Sequence, residues 1–182
     1  MPKNMIKNIV MAGVIIGFLA IAYIGTQNVL NYYYIKQAYK AIVAGNNQNL
    51  KKFTSASIIN EYITIKPGVE STLLIQAIIH KPDDASMHNI IKELLSIPGI
   101  DPNKPEKLIV NNKIALGRRP IHWAVERGNV QAVKLLIEAQ ADITIVDPTT
   151  NLSPLAFVQS EKDLALREEW HLDEIEKLLK NT

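Results

Sequence analysis

The stretch Gly117–Asp142, GRRPIHWAVERGNVQAVKLLIEAQAD, constrains the fold of this chain more than any other. Pro120 stands where a first helical residue should, because its fixed φ suits a helix and its missing N–H would have no partner there. Ile121, Ala124 and Val125 then share one face at helical spacing. Gly128 ends the run after about two turns, since it takes a backbone conformation that other residues adopt only at a cost. After Asn129, the apolar residues Val130, Val133, Leu135, Leu136 and Ile137 leave Gln131, Lys134 and Glu138 for water, which predicts a second amphipathic helix. Two short antiparallel helices, each apolar on one side only, cannot bury those sides alone. The unit must stack on others.

Gly117, Pro120, Ile121, His122, Ala124, Gly128, Leu135, Leu136, Ala141 and Asp142 together resemble one ankyrin repeat. Two positions depart from that family's pattern. Arg119 replaces its Thr and lacks the hydroxyl, and Gln140 replaces the Gly that closes the second helix. A left-handed Gln140 costs about 1 kcal/mol. The resemblance implies a helical solenoid, and roughly three or more such units are needed for a stable stack.

Worn copies flank the good one. Downstream, Ser153-Pro154-Leu155 returns 34 residues after Arg119-Pro120-Ile121, close to the ankyrin period of about 33. Ile175, Leu178 and Leu179 then mark a second helix, separated from the first by an insertion containing Lys162, Asp163, Arg167, Glu168, Glu169 and Trp170. Upstream, Thr72–Ile79 resembles a first helix without its Pro, and Ile90–Leu95 a second. The run from Ile97 to Asn103 resembles the Gly-x-Asp-x-Asn ending of the family. The connections His80–Met87 and Lys104–Leu116 are longer than its turns, and long connections in a compact stack tend to be functional or mobile. Ala41–Asn46, followed by Leu50 and Phe53, reads as a degenerate first unit, as terminal caps often are. The expected fold is therefore all-α: an ankyrin-repeat solenoid over 34–181 with units at about 34–66, 67–103, 114–146 and 147–181.

From Ile9 to Gly25 the chain has no charge over 17 residues, at the lower edge of what spans a bilayer. Lys3 and Lys7 precede the run; Tyr23 and Tyr32-Tyr33-Tyr34 supply rings of the kind that settle at headgroups. This predicts a tail over 1–8, a single transmembrane helix over 9–25 and a linker over 26–33. That linker either continues as helix through Ala44 or hinges near Gly25–Asn28. A secretory signal cleaved near Ala22, in the small-residue stretch Ala20-Ile21-Ala22, is the alternative; a buried helix of a soluble protein is the third. With the amino terminus inside, the repeats face the non-cytoplasmic side. Gly13 and Gly17 make a small-xxx-small pair through which two such helices can approach as a weak homodimer.

Charge names no acidic partner. The chain carries 20 Lys+Arg and 18 Asp+Glu, so without Lys3 and Lys7 the two signs balance. Neither a basic face nor a nucleic-acid reading module is present, and the absence of Cys removes disulfides and thiolate metal sites. His80, His88 and His171 have no ligand spacing on a known scaffold. Asp83-Asp84 beside Pro82 reads as a solvated turn. Nucleophile, phosphate-loop and paired acid–base motifs are all missing.

These readings predict a non-enzymatic protein without cofactor or metal that binds other proteins. The resemblance implies that His122 hydrogen-bonds within and between repeats. It also implies that partners meet the turn tips and the inner helices, which here places Arg118, Glu126, Arg127, Asp147 and Thr149 at the partner surface. Trp123 is expected to fill space between units. A secreted repeat module and an accessory subunit of an enzyme complex are the alternatives.

Overall fold

A computed structural model describes residues 3–54, 58–80, 84–163 and 171–181, without the side chains of 3–15, 18 and 163. The chain divides into two units, Met1–Tyr34 and Ile35–Thr182. The first is the amino-terminal part of α1 (Lys3–Val43). Residues 26–33, expected to be a linker, are helical, and α1 runs through Gly25–Asn28 without a break. Ile16, Leu19, Ile21, Tyr23, Ile24, Val29 and Leu30 of this unit are all exposed. The side chains at 9–15 and 18, on which the transmembrane expectation largely rests, lie outside the described residues. Among the described residues no helix is long and apolar enough to cross a membrane, so the expected membrane helix does not stand as an element of the described fold.

In the second unit, Ile35, Ala38, Ala41 and Ile42 of α1 enter the core. Gly45, at φ 64°, turns the chain into α2 (Asn47–Phe53), whose first turn is capped by Asn46 accepting the Asn49 N–H at 2.9 Å. Three helix pairs follow: α3 (Leu73–Ile79) with α4 (Ala85–Leu95), α5 (Pro120–Glu126) with α6 (Val130–Glu138), and α7 (Pro154–Asp163) with α8 (Leu172–Lys180). Four of these six helices start at side-chain oxygens accepting backbone N–H groups; α5, begun by Pro120, and α8 have no such cap. Thr72 accepts from Ile75, Asp84 from Ser86, Asn129 from Ala132 and Ser153 from Ala156. Asp84 is thus a helix cap rather than part of a free loop; Pro82 and Asp83 lie outside the described residues.

The helices form two rows. α3, α5 and α7 touch in succession along one, and α2, α4, α6 and α8 along the other. Between them one apolar cluster runs from Leu50 through Leu74, Ile78, Ile91 and Leu94 to Ile121, Val125, Val133 and Leu136, and on to Val158, Ile175 and Leu179. The apolar positions expected of the Pro120–Glu138 pair are all buried or half-buried, and Ala132 joins them. Gln140 is left-handed at φ 61°. Asn60 and Asn103 bridge successive units: Asn60 donates to the Gly99 carbonyl (2.7 Å) and accepts the Asp101 N–H (2.9 Å), and Asn103 accepts the Asp142 N–H (2.7 Å).

The all-α expectation fails ahead of α3 and, in the long connection Lys104–Leu116, ahead of α5. β1 (Tyr62–Lys66), β2 (Val69–Thr72), β3 (Lys107–Val110) and β4 (Lys113–Leu116) form one antiparallel sheet in that order. Pro67-Gly68 closes the first hairpin, with Gly68 at φ 79°. Asn111-Asn112 closes the second, both at positive φ (50° and 59°), the requirement of a type I′ turn. The Ile109 N–H donates to the Gly68 carbonyl (2.8 Å) and joins the two hairpins. The third connection forms no strand. Of the insertion, 164–170 lies outside the described residues; Lys162, at its start, pairs with Glu176 of α8 (2.6 Å).

Candidate protein-binding surface

Four of the five residues expected at the partner surface meet in one cluster. Arg118 leaves β4 just before α5, and its Nη1 pairs with the Glu126 carboxylate at the far end of that helix. Its Nε lies 2.8 Å from Asp147 Oδ2 and donates to Thr149 Oγ1 at 3.0 Å. The guanidinium also stands 5.1 Å from the centre of the Trp123 ring. The side chain of Arg118 is only 15% exposed and that of Asp147 6%, so these two tie one connection to the next from beneath the surface, while Thr149 is exposed and Glu126 half-buried. Arg127 is different. It is exposed, with its guanidinium 5.9 Å from the same Trp123 ring.

Asp147 is held by more than Arg118. Its Oδ1 accepts the Thr149 N–H (2.8 Å) and hydroxyl (2.7 Å). Its own N–H donates to the Leu152 carbonyl and its carbonyl accepts the Asn151 N–H. Burial pushes the carboxyl up, but the two bonds from Thr149, with the charge of Arg118, outweigh that and hold it below the usual carboxylate range.

His122 is buried two residues beyond Pro120. The Arg119 N–H donates to its Nδ1 (3.2 Å), and because a backbone N–H can only donate, Nδ1 carries no proton. Nε2 is therefore the protonated nitrogen and donates to the Ile145 carbonyl at 2.9 Å. Burial pushes the imidazole below its ordinary pKa. His122 thus closes the start of α5 and reaches the next connection, the structural role its family resemblance implies.

Glu106 was not among the residues singled out from sequence. It is buried beneath Gly117, where an added Cβ would stand 2.5 Å from its Cγ, and its Oε1 accepts the Arg118 N–H at 3.4 Å. Burial pushes its carboxyl up. The available signal was a single acid among Lys104, Lys107, Lys113, Arg118 and Arg119. Trp123 is half-buried against the core, as expected, but its Nε1–H is buried with no acceptor among the described residues.

Among the described residues no side chain or other segment lies within 4 Å of a Cβ added at Gly17; the surroundings of Gly13 lie outside the described residues. Among the described residues no group of three His, Asp or Glu side chains could hold a metal ion. The geometry offers hydrogen-bond and charge complementarity and two aromatic–guanidinium contacts, which are means of recognition.

A profile of three consecutive ankyrin repeats matches residues 39–147. The chain belongs to the ankyrin repeat family. Its helix pair α7 and α8 extends past the matched region and packs on α5 and α6. Two ankyrin proteins are similar to it. One is a human ankyrin repeat domain-containing protein, 33% identical over 78 residues, which are 38% of this chain and 4% of the relative. The other is an ankyrin repeat protein of fowlpox virus (strain NVSL), 33% identical over 115 residues, covering 63% of this chain and 15% of the relative. The similarity therefore spans a small part of each relative's length. Ankyrin repeats of this kind imply protein–protein interaction.

Proposed function

We propose that this ankyrin-repeat chain is a membrane-anchored, non-catalytic protein that captures a protein partner on the non-cytoplasmic side of the membrane. The observation that carries the reading is the joining of two features in one chain: a repeat stack and, ahead of it, an uncharged run from Ile9 to Gly25 between Lys3, Lys7 and the tyrosines at 23 and 32–34. Lys3, Lys7 and the amino terminus, weighed against Lys36, Lys40, Lys51 and Lys52 beyond the run, suit a helix with its amino terminus inside, since a long following domain translocates largely regardless of its charge. The array is read as four units, at about 34–66, 67–103, 114–146 and 147–181. Arg127 is its outward contact. Arg118, Glu126, Asp147 and Thr149 shape the surface beside it, and anchoring confines the search for a partner to the membrane plane.

A second reading rests on Ala20-Ile21-Ala22, a small-residue stretch suited to cleavage, which would release the repeats as a secreted module. Fractionation of the full-length protein, alkaline carbonate extraction and intact-mass measurement separate the two. Retention in the membrane pellet at full mass is the expected result. A carbonate-soluble product lacking about 22 residues would replace the anchored reading with the secreted one. For the partner surface, a photocrosslinking residue at Arg127 is expected to capture a protein in native membranes while one at Lys134 is not; equal capture at both would remove Arg127 from the surface.

A further inference from the structure

The sheet ends at β4, and no described strand lies beside it. In the antiparallel ladder Lys113 pairs with Val110 across the two-residue turn, Ala115 with Leu108, and the Gly117 N–H donates to the Glu106 carbonyl at 2.8 Å. Residues facing β3 alternate with residues facing away, so the N–H and C=O of Ile114 and Leu116 point to the open side. The first two connections of the array each supply a hairpin to this sheet. The third does not, because Asp147, Thr149, Asn151 and Leu152 bond to one another and close that loop within a few residues. No other strand among the described residues takes its place.

The side chains on this edge are as exposed as its backbone. Ile114 is 65% exposed, Leu116 57% and Val110 61%. Ile109, Ile114 and Leu116 share one face of the hairpin. Natural proteins protect such an edge with charges, bulges or a covering segment, and β4 has only Lys113 at one end.

Although the charges of the whole chain nearly balance, the local charge at this edge selects the occupant. The segment from Lys104 to Arg119 holds five basic residues and one acid. Lys107 is matched by Glu70 (3.7 Å) and Arg118 by Glu126 and Asp147. Among the described residues Lys113 has no carboxylate partner. A second copy of the chain would bring the same cations to the same edge, and four residues bury far less than the roughly 1,200 Å² of a stable protein–protein interface. An extended peptide needs less area, since main-chain hydrogen bonds supply much of the affinity when a strand is added to a sheet.

We propose that β4 is a strand-addition site for an extended acidic segment of a partner protein, alternating apolar and acidic residues, paired through Ile114 and Leu116 with a carboxylate near Lys113. This rests on the chain being a protein-binding module and names the class of partner; it does not depend on the anchor or on Arg127.

The test uses the full-length protein in detergent and a fluorescent eight-residue peptide alternating valine and glutamate, with a valine–lysine peptide as control. The glutamate peptide is expected to bind and to slow amide exchange at Ile114 and Leu116, and the lysine peptide to bind about tenfold more weakly or not at all. Ile114→Pro removes an N–H that no described strand uses, so the fold tolerates it at an edge; it is expected to weaken binding at least about tenfold. Lys113→Glu is expected to reverse the preference between the peptides. Binding of neither peptide, full binding by a folded Ile114→Pro protein, or slow exchange at Ile114 and Leu116 that depends on protein concentration alone would overturn the proposal. The last result would assign the edge to a second copy. Partner capture at Arg127 that persists in any of these cases leaves the broader function standing.

Discussion

Arg118 is where sequence and structure diverge most usefully. Sequence position placed it, with Glu126, Asp147 and Thr149, on the partner surface, and the structure does bring these four together. Their mutual pairing was not legible, because Asp147 lies in the next connection, 29 residues on, and pairing of that kind leaves no local pattern. Its consequence is energetic. Truncating Arg118 leaves two carboxylates without their cation, one of them nearly buried, and loss of one partner of a buried pair is costly. Arg118→Ala is expected to lower stability by about 2 kcal/mol in urea unfolding, and adding Asp147→Asn to recover part of it. His122 supplies a pH dependence whose sign follows from its environment. Burial depresses the folded-state pKa below the ordinary value of about 6.5, so the unfolded chain takes up the proton first. The contribution is complete above about pH 6.5 and is lost as pH falls through the lower folded value. The urea midpoint is expected to drop between pH 7.5 and 5.5, and a folded His122→Gln variant to show a flatter profile. Glu106 has the opposite sign: its folded pKa is raised, so its contribution is complete below its unfolded value and declines as pH rises through the folded one.

At the scale of elements, the helices were legible and the strands were not. Pro120, Gly128 and Asn129 bound their helices from sequence because each acts locally, through a fixed φ, a left-handed turn or a cap. Helix α4 starts at Ala85, earlier than its apolar run from Ile90 suggests, because Asp84 caps a polar first turn. The strands are four or five residues long, too short for their alternation to stand out beside helical periods. Their turns carried the better signal: Pro67-Gly68 and Asn111-Asn112, each between β-favouring residues. Asn112 pays a left-handed cost that glycine avoids. Asn112→Gly is expected to stabilise the β3–β4 hairpin by up to about 1 kcal/mol, seen as a higher urea midpoint and slower amide exchange at Val110 and Lys113. Equal exchange in both proteins would mean that the hairpin is held by its junction with β2 instead of by its turn.

At the scale of the molecule, the repeat architecture was legible from one good unit, since a one-sided helix pair requires neighbours and the neighbours' residues could then be found. If the proposed anchor associates through glycines, Gly17→Ile is expected to abolish a detergent-stable dimer without changing membrane retention; an unchanged oligomeric state measured by light scattering would exclude a glycine-mediated contact. The two rows of helices have a consequence for how the chain reaches its folded form. α5 packs on α3 and α6 on α4, and the Asn60 and Asn103 bonds each reach about one unit along the chain. Contacts of such short range favour rapid folding, and in a linear array folding can propagate from one unit to the next. A chain emerging amino terminus first, from a ribosome or across a membrane, can therefore settle each helix pair on a predecessor already in place, leaving only the newest unit with an uncovered apolar face.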